Sequence, residues 1–175
     1  MPAVFPKQVK RREIYQRFNL KELLGYEPSP EQKETFAQLA IEKMIVRTAS
    51  GNDVDGRDFA SYSRKYAEKK GVGVNDVDLI LTGDMLDSIS DERQRNVVKI
   101  KVGEGFSTDK AHGHITGRAT GKVRDFFGFN SEEDLADVIS EVDSLRQEEV
   151  TIEEDTLDLA ALRRAILSIG LEQAD

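Results

Sequence analysis

Between Ser29 and Ile45 the apolar residues Phe36, Leu39, Ala40, Met44 and Ile45 recur at spacings suited to one helical face, whereas Val98, Ile100 and Val102 alternate with Lys99 and Lys101. The first period belongs to a helix with one buried stripe and the second to a half-buried strand. A chain carrying both must lay helix on sheet. The fold class expected is therefore α+β: a small antiparallel β-sheet packed against several α-helices, with helical N- and C-terminal extensions. Its 175 residues suit one domain of ordinary size, and 38% hydrophobic against 33% charged residues implies a modest core beside a large polar surface. The organisation reads as an N-terminal helical extension over 1–30, an α+β core over 31–148 and a C-terminal helical arm over 149–175.

Local signals fill in this frame. Ile14, Tyr15, Phe18 and Leu23 are the apolar points of a first helix expected over 8–24, which Gly25, Pro28 and Pro30 bring to an end. Ser29 caps the second helix, with Pro30 at its first position. Thr48 to Gly56 reads as a turn-rich loop, and Phe59, Tyr62 and Tyr66 are spaced for one helical face within 57–70. Met85 to Ser90 closes a short helix or opens a strand. Val97 points to the polar side of the following strand, which is then covered on both faces or meets another subunit. The stretch 108–120, with Gly113, Gly117 and both histidines, is expected to be irregular. Asn130 or Ser131 caps a helix bearing Leu135, Val138, Ile139, Val142 and Leu145, and a last helix over 156–169 is lined by Leu159, Leu162, Ile166 and Ile169.

Charge is polarised along the chain. Residues 131–175 hold 14 acidic and three basic side chains, a balance of −11 that leaves +3 on the rest of a chain whose total is −8. The acidic end is either a solvated helix face or a partner for the basic N-terminal stretch of a neighbouring subunit, which includes Lys10, Arg11 and Arg12. A pI near 4.9 argues against a dedicated nucleic-acid binder. The absence of cysteine excludes disulfides, thiolate zinc sites and cysteine nucleophiles. No apolar run is long enough for a bilayer and no signal-peptide core opens the chain, so a soluble, unexported protein is expected.

Sequences that tempt a chemical reading fall short. Asn52 to Gly56 has the look of a calcium loop, but alignment on Gly56 places Gly51 and Tyr62 where the end ligands belong. His112 and His114 project to one side of an extended segment, yet two imidazoles need further ligands that nothing nearby supplies. The glycines from Gly103 to Gly121 form no phosphate cradle. No base is positioned beside a serine nucleophile.

Four elements carry a family resemblance. They are Gly56-Arg57-Asp58-Phe59-Ala60-Ser61-Tyr62-Ser63; Lys65-Tyr66-Ala67 with Lys69-Lys70-Gly71; Leu81-Thr82-Gly83-Asp84-Met85-Leu86-Asp87-Ser88-Ile89; and His114 with Gly117 ahead of Arg124-Asp125-Phe126-Phe127-Gly128. In this order, over about residues 56–140, the chain resembles the tail-completion, or virion morphogenesis, family of tailed bacteriophages. In that family a Thr-Gly-x-Leu/Met-x-x-Ser-Ile element precedes a β-hairpin, and an Arg-x-Phe-x-Gly element leads into a helix. Here Asp125 stands where such proteins often have proline.

The resemblance implies a structural neck protein, present in the virion and made in the host cytoplasm. It implies a homo-oligomeric ring around the DNA channel, contacting the portal or adaptor on one side and tail-terminator or tail-tube proteins on the other. DNA passes without specific binding, and no membrane, cofactor, metal or catalytic residue is implied. Arg124 is then the first choice for a polar interface contact. Phe126, Phe127 and Phe129 either fill the core or include an inter-subunit anchor. A tail-terminator or head-tail adaptor ring is the nearest alternative, and a metal-dependent enzyme using His112 and His114 the more distant one.

Overall fold

The computed structural model describes residues 2–79, 83–118 and 120–146. Its strands are β1 (Gln8–Lys10), β2 (Glu13–Asn19), β3 (Ser90–Gln94) and β4 (Val97–Lys101), which form one antiparallel sheet in the order β1-β2-β4-β3. The helices are α1 (Leu20–Leu24), α2 (Pro30–Ala49), α3 (Arg64–Lys70), α4 (Asp84–Asp87) and α5 (Phe106–Thr116), and a 3-10 turn at Glu133–Leu135 leads into α6, residues 136–146. The architecture is α+β, as the two hydrophobic periods require.

The N-terminal helix expected over 8–24 is instead two strands followed by one short helix. Ile14 and Phe18 lie four residues apart, a spacing shared by both periods, and Gln16 decides between them. Its side chain is only 1% exposed between fully buried Ile14 and Phe18. Gln16 Nε2 donates to the carbonyls of Phe5 (2.9 Å) and Phe129 (2.8 Å), and its Oε1 accepts the Phe129 amide (2.8 Å), so burial leaves this amide satisfied. A polar residue on the core face hid the alternation. Residues 3–19 thus belong to the body of the sheet: the Asn19 amide donates to the Ala3 carbonyl (2.8 Å) and Val4 bridges Phe18.

α2 starts as expected. Ser29 Oγ accepts the Gln32 amide (3.1 Å), Gln32 Oε1 accepts the Ser29 amide (2.9 Å), and Pro30 occupies the first turn. A cap of this kind stabilises a helix by about 1 kcal/mol. Phe36, Ala40 and Met44 are buried, and the Phe36 ring meets Phe18 of β2 at 5.4 Å. Each large side chain so buried contributes roughly 1.5–3 kcal/mol.

β4 pairs with β2 on one side (Phe18↔Val98) and β3 on the other (Gln94↔Val97). Val98 and Ile100 enter the core. β3 was invisible as a strand because it contains no apolar residue; pairing with β4 and an ion pair from Arg93 to Glu34 of α2 (3.1 Å) hold it at the edge.

Three further expectations are corrected or refined. Residues 106–116 form α5 rather than irregular backbone, because Thr108, Ala111 and Ile115 supply a buried face that Gly113 obscured. Only 64–70 of the basic 57–70 stretch is helical; Phe59 and Tyr62 are buried from the preceding loop, and the Tyr62 ring meets Tyr66 edge-on at 4.8 Å. Asn52 to Gly56 is an Asx turn in which Asp53 Oδ1 accepts the amides of Asp55 and Arg57, both at 2.9 Å. Ahead of α6, Ser131 Oγ accepts the Asp134 amide (3.3 Å) and Asp134 Oδ2 accepts the amides of Asn130 and Ser131, both at 3.0 Å; Glu132, the residue directly before the 3-10 turn, makes no side-chain cap bond. The helix expected over 156–169 and the arm over 149–175 lie outside the described residues.

Candidate interaction surface

The residues singled out for contact separate into an interior set and an exterior set. Phe126 and Phe127 are fully buried, Phe129 is 1% and Arg124 3% exposed. Within the protomer the three phenylalanines fill the core, the first of the two alternatives, and Arg124, the first choice for a polar contact, is buried with them. Arg124 Nε donates to the Ala60 carbonyl (2.8 Å) and a terminal nitrogen to the Ser61 carbonyl (3.0 Å), with the guanidinium over the Tyr62 ring at 5.2 Å. The Arg124 amide also donates to the His114 carbonyl (2.8 Å). Arg124 therefore ties the 57–63 loop to the end of α5, and burial draws its pKa below the ordinary guanidinium value.

The aromatics form the strap that follows. Phe129 packs on Phe18 at 6.1 Å, and Phe126 and Phe127 meet edge-on at 6.4 Å. Arg47 of α2 donates to the carbonyls of Phe126 (2.8 Å) and Gly128 (2.9 Å) and lies over the Phe129 ring at 5.3 Å. Lys7 pairs with Asp125 and reaches the Phe127 carbonyl (3.2 Å), so the carboxylate in the strap has a cation to meet. Gly128 has φ +87°, and a Cβ there would lie 2.6 Å from Gln16 Oε1; only glycine lets the strap come this close to β2.

The described part of the Gly83–Ile89 element is also framework. Met85, Leu86 and Ile89 are buried. Ser88 Oγ donates to the Met85 carbonyl (2.7 Å) and accepts the Gly103 amide (3.3 Å), joining α4 to the strand that leaves the sheet. Leu81 and Thr82 lie outside the described residues.

Lys10, Arg11 and Arg12 form the exposed tip of the β1–β2 hairpin, where Arg11 Nε is 3.3 Å from an Asp109 carboxylate oxygen. The structure does not bring this tip together with Arg124 or the aromatics. Two other polar surfaces complete the exterior. On the face of the sheet away from the core, a hollow is lined by Tyr15, Arg17, Glu92, Gln94, Arg95, Val97 and Lys99. Lys99 Nζ stands 4.5 Å from the Tyr15 ring centroid and 3.4 Å from Glu92, so cation, ring and carboxylate meet on open sheet. Its sequence signal was the Lys99/Lys101 alternation. The other surface is the acidic stretch of residues 131–146, which holds Glu132, Glu133, Asp134, Asp137, Glu141 and Asp143 against the single cation Arg146.

His112 and His114 lie two residues apart on α5, about 200° around the helix, so they do not converge on one ion. Among the described residues no group of three or more histidine, aspartate or glutamate side chains has the arrangement to hold a metal. Burial, reinforced by the positive charge of Arg124 and Lys110, pushes His114 down to about 4. Its Nδ1 is buried with no hydrogen-bond partner. Among the described residues no helix is long and apolar enough to cross a membrane.

No family model matches this sequence, and neither the curated proteins nor the solved structures contain a match to it.

Proposed function

We propose that this chain is a structural protein of the tailed-phage neck, of the tail-completion type, assembling as a ring between the portal or adaptor and the tail. The observation that carries the reading is the order in which the motif residues act. Gly83 to Ile89 forms a short helix that runs into the β3–β4 hairpin, and Arg124 to Gly128 forms a strap that runs into α6. A hairpin after the first element and a helix after the second is what the family resemblance implies. In both elements the distinctive side chains hold backbone: Ser88 the chain just past the end of β4, Arg124 the 57–63 loop.

Copy-to-copy contact then falls to the charged exterior. The cationic hairpin tip and the acidic 131–146 stretch are complementary in sign, which suits docking of one copy's tip against the next copy's acidic side. An acidic lining lets DNA slide through a channel without adhering. Tail-terminator or tail-tube proteins and the portal or adaptor are the partners on this reading.

The test is loss of the chain from an infection. Lysates lacking it should contain filled heads and separate tails under the electron microscope, and adding the purified protein should restore joined particles. Normal yields of joined, infectious virions without it would refute the proposal.

A further inference from the structure

Two surface patches of opposite character lie one at each end of β2. At the hairpin end Phe106 opens α5 with 77% of its surface exposed, the most of any large hydrophobic residue among those described. One exposed ring signifies little by itself; its surroundings make it informative. Asp109, one turn further along α5, meets Arg11 at 3.3 Å, which places the Phe106 ring beside the hairpin tip, and Glu13 is taken by Lys99 (3.6 Å). Among the described residues Lys10 and Arg12 have no carboxylate partner, and against them stands Glu104 alone. The patch is an aromatic knob with a net positive rim.

At the other end of β2, α1 begins at Leu20, and a groove between α1 and α6 has a floor of half-buried Leu23, Leu24 and Ile139. Glu132, Glu133 and Asp143 rim it. Asp143 accepts a hydrogen bond from the Tyr26 hydroxyl (2.9 Å), whereas Glu132 and Glu133 are exposed and unpaired among the described residues. Knob and groove match twice over, an aromatic ring for an aliphatic floor and unpaired cations for unpaired carboxylates. They do not meet within one copy, because the seven residues of β2 hold them roughly 23 Å apart.

The geometry points to a second copy of this chain as the occupant of the groove, with its Phe106 on Leu23, Leu24 and Ile139 and its Lys10 and Arg12 against Glu132 and Glu133. Since knob and groove are different parts of the subunit, the contact is heterologous. Every copy receives one neighbour and offers its knob to another, which builds a closed ring when the rotation closes and a filament when it does not. The inference rests on the copy-to-copy docking proposed above and supplies its apolar anchor, an aromatic of the kind that dominates interface energetics. Charge then steers the encounter, and the buried Phe106 governs how long it lasts.

The chain lacks cysteine, so introduced thiols report the contact without background. Glu104→Cys marks the knob and Ser140→Cys the groove, both at exposed positions that leave Phe106 and the floor intact. Full-length single-cysteine chains mixed under a mild oxidant should give the mixed disulfide in about tenfold excess over either homodimer, and adding Phe106→Ser to the knob chain should lower that yield about tenfold. A mixed yield no greater than chance, or one indifferent to Phe106→Ser, overturns the inference. A dilution-independent internal disulfide in the chain carrying both cysteines overturns it as well, because the groove is then filled by its own knob. Loss of the anchor is distinguishable from loss of the charged docking: if Arg11→Ser with Arg12→Ser weakens association while Phe106→Ser leaves it unchanged, tip and acidic side still meet and the inference alone falls.

Discussion

The strap of residues 124–129 and the hairpin tip of residues 10–12 both read as contact material in the sequence, one by its aromatics and the other by its cations, yet they occupy opposite situations. The strap's rings are inside, and the Arg124 guanidinium is held by two backbone carbonyls. The tip projects from a two-residue turn with its cations exposed. The difference shows where specificity is spent. Side chains of the strap hold the chain's own backbone, and those of the tip are left at the surface.

The contrast breaks most readily at Phe129. Replacing it with alanine removes the contacts to Phe18 and Arg47 and should cost about 3–5 kcal/mol in urea unfolding; a loss under about 1 kcal/mol would mean the strap does not belong to the core. Gly128→Ala comes next. It forces a side chain into a left-handed conformation against Gln16, and about 2 kcal/mol of lost stability is expected from strain of that kind. Arg124→Leu leaves the Ala60 carbonyl without its donor and the Ser61 carbonyl with Lys122 alone, a cost of about 1–3 kcal/mol.

A pH series sharpens the same comparison. His114, beside Arg124, keeps its neutral form in the fold down to about pH 4, while the unfolded chain takes up that proton near pH 6.5. The unfolded state therefore binds more protons between these values. The contribution of His114 is fully present above pH 6.5 and is lost as pH falls towards 4. Stability measured at pH 7, 5.5 and 4.5 should decline less in His114→Gln than in the unmodified chain; parallel declines would refute the assignment. The smallest effect on stability belongs to the tip. Arg11→Ser with Arg12→Ser should change unfolding by no more than about 0.5 kcal/mol, while weakening association between copies and reducing its dependence on salt.

How far the sequence could be read follows from how each element announces itself. α2 carries cap, proline and stripe together, and β4 alternates without a break, so both were legible. β2 was misread because Gln16 occupies the core face, and a satisfied buried amide looks polar in sequence. β3 had no apolar residue to reveal it and depends on its neighbour. α5 was obscured by Gly113, a poor helix former placed where the helix packs closely. At the site, the cations of the tip could be identified from charge alone. The burial of Arg124 could not, because its partners are carbonyls of a loop 63 and 64 residues away in sequence. The open sheet face around Tyr15 and Lys99 went unrecognised for a related reason: it exists only once β2 and β4 are paired.

The most direct measurement of the central claim is the position of this chain in intact particles, imaged by cryo-electron microscopy after fusion of a compact tag to its C-terminus. The account predicts tag density in a closed ring at the head-tail junction, with the cationic hairpin tip of each copy facing the acidic 131–146 stretch of the next. Density distributed over the capsid shell or along the tail shaft, or particles from which the chain is missing altogether, would contradict it.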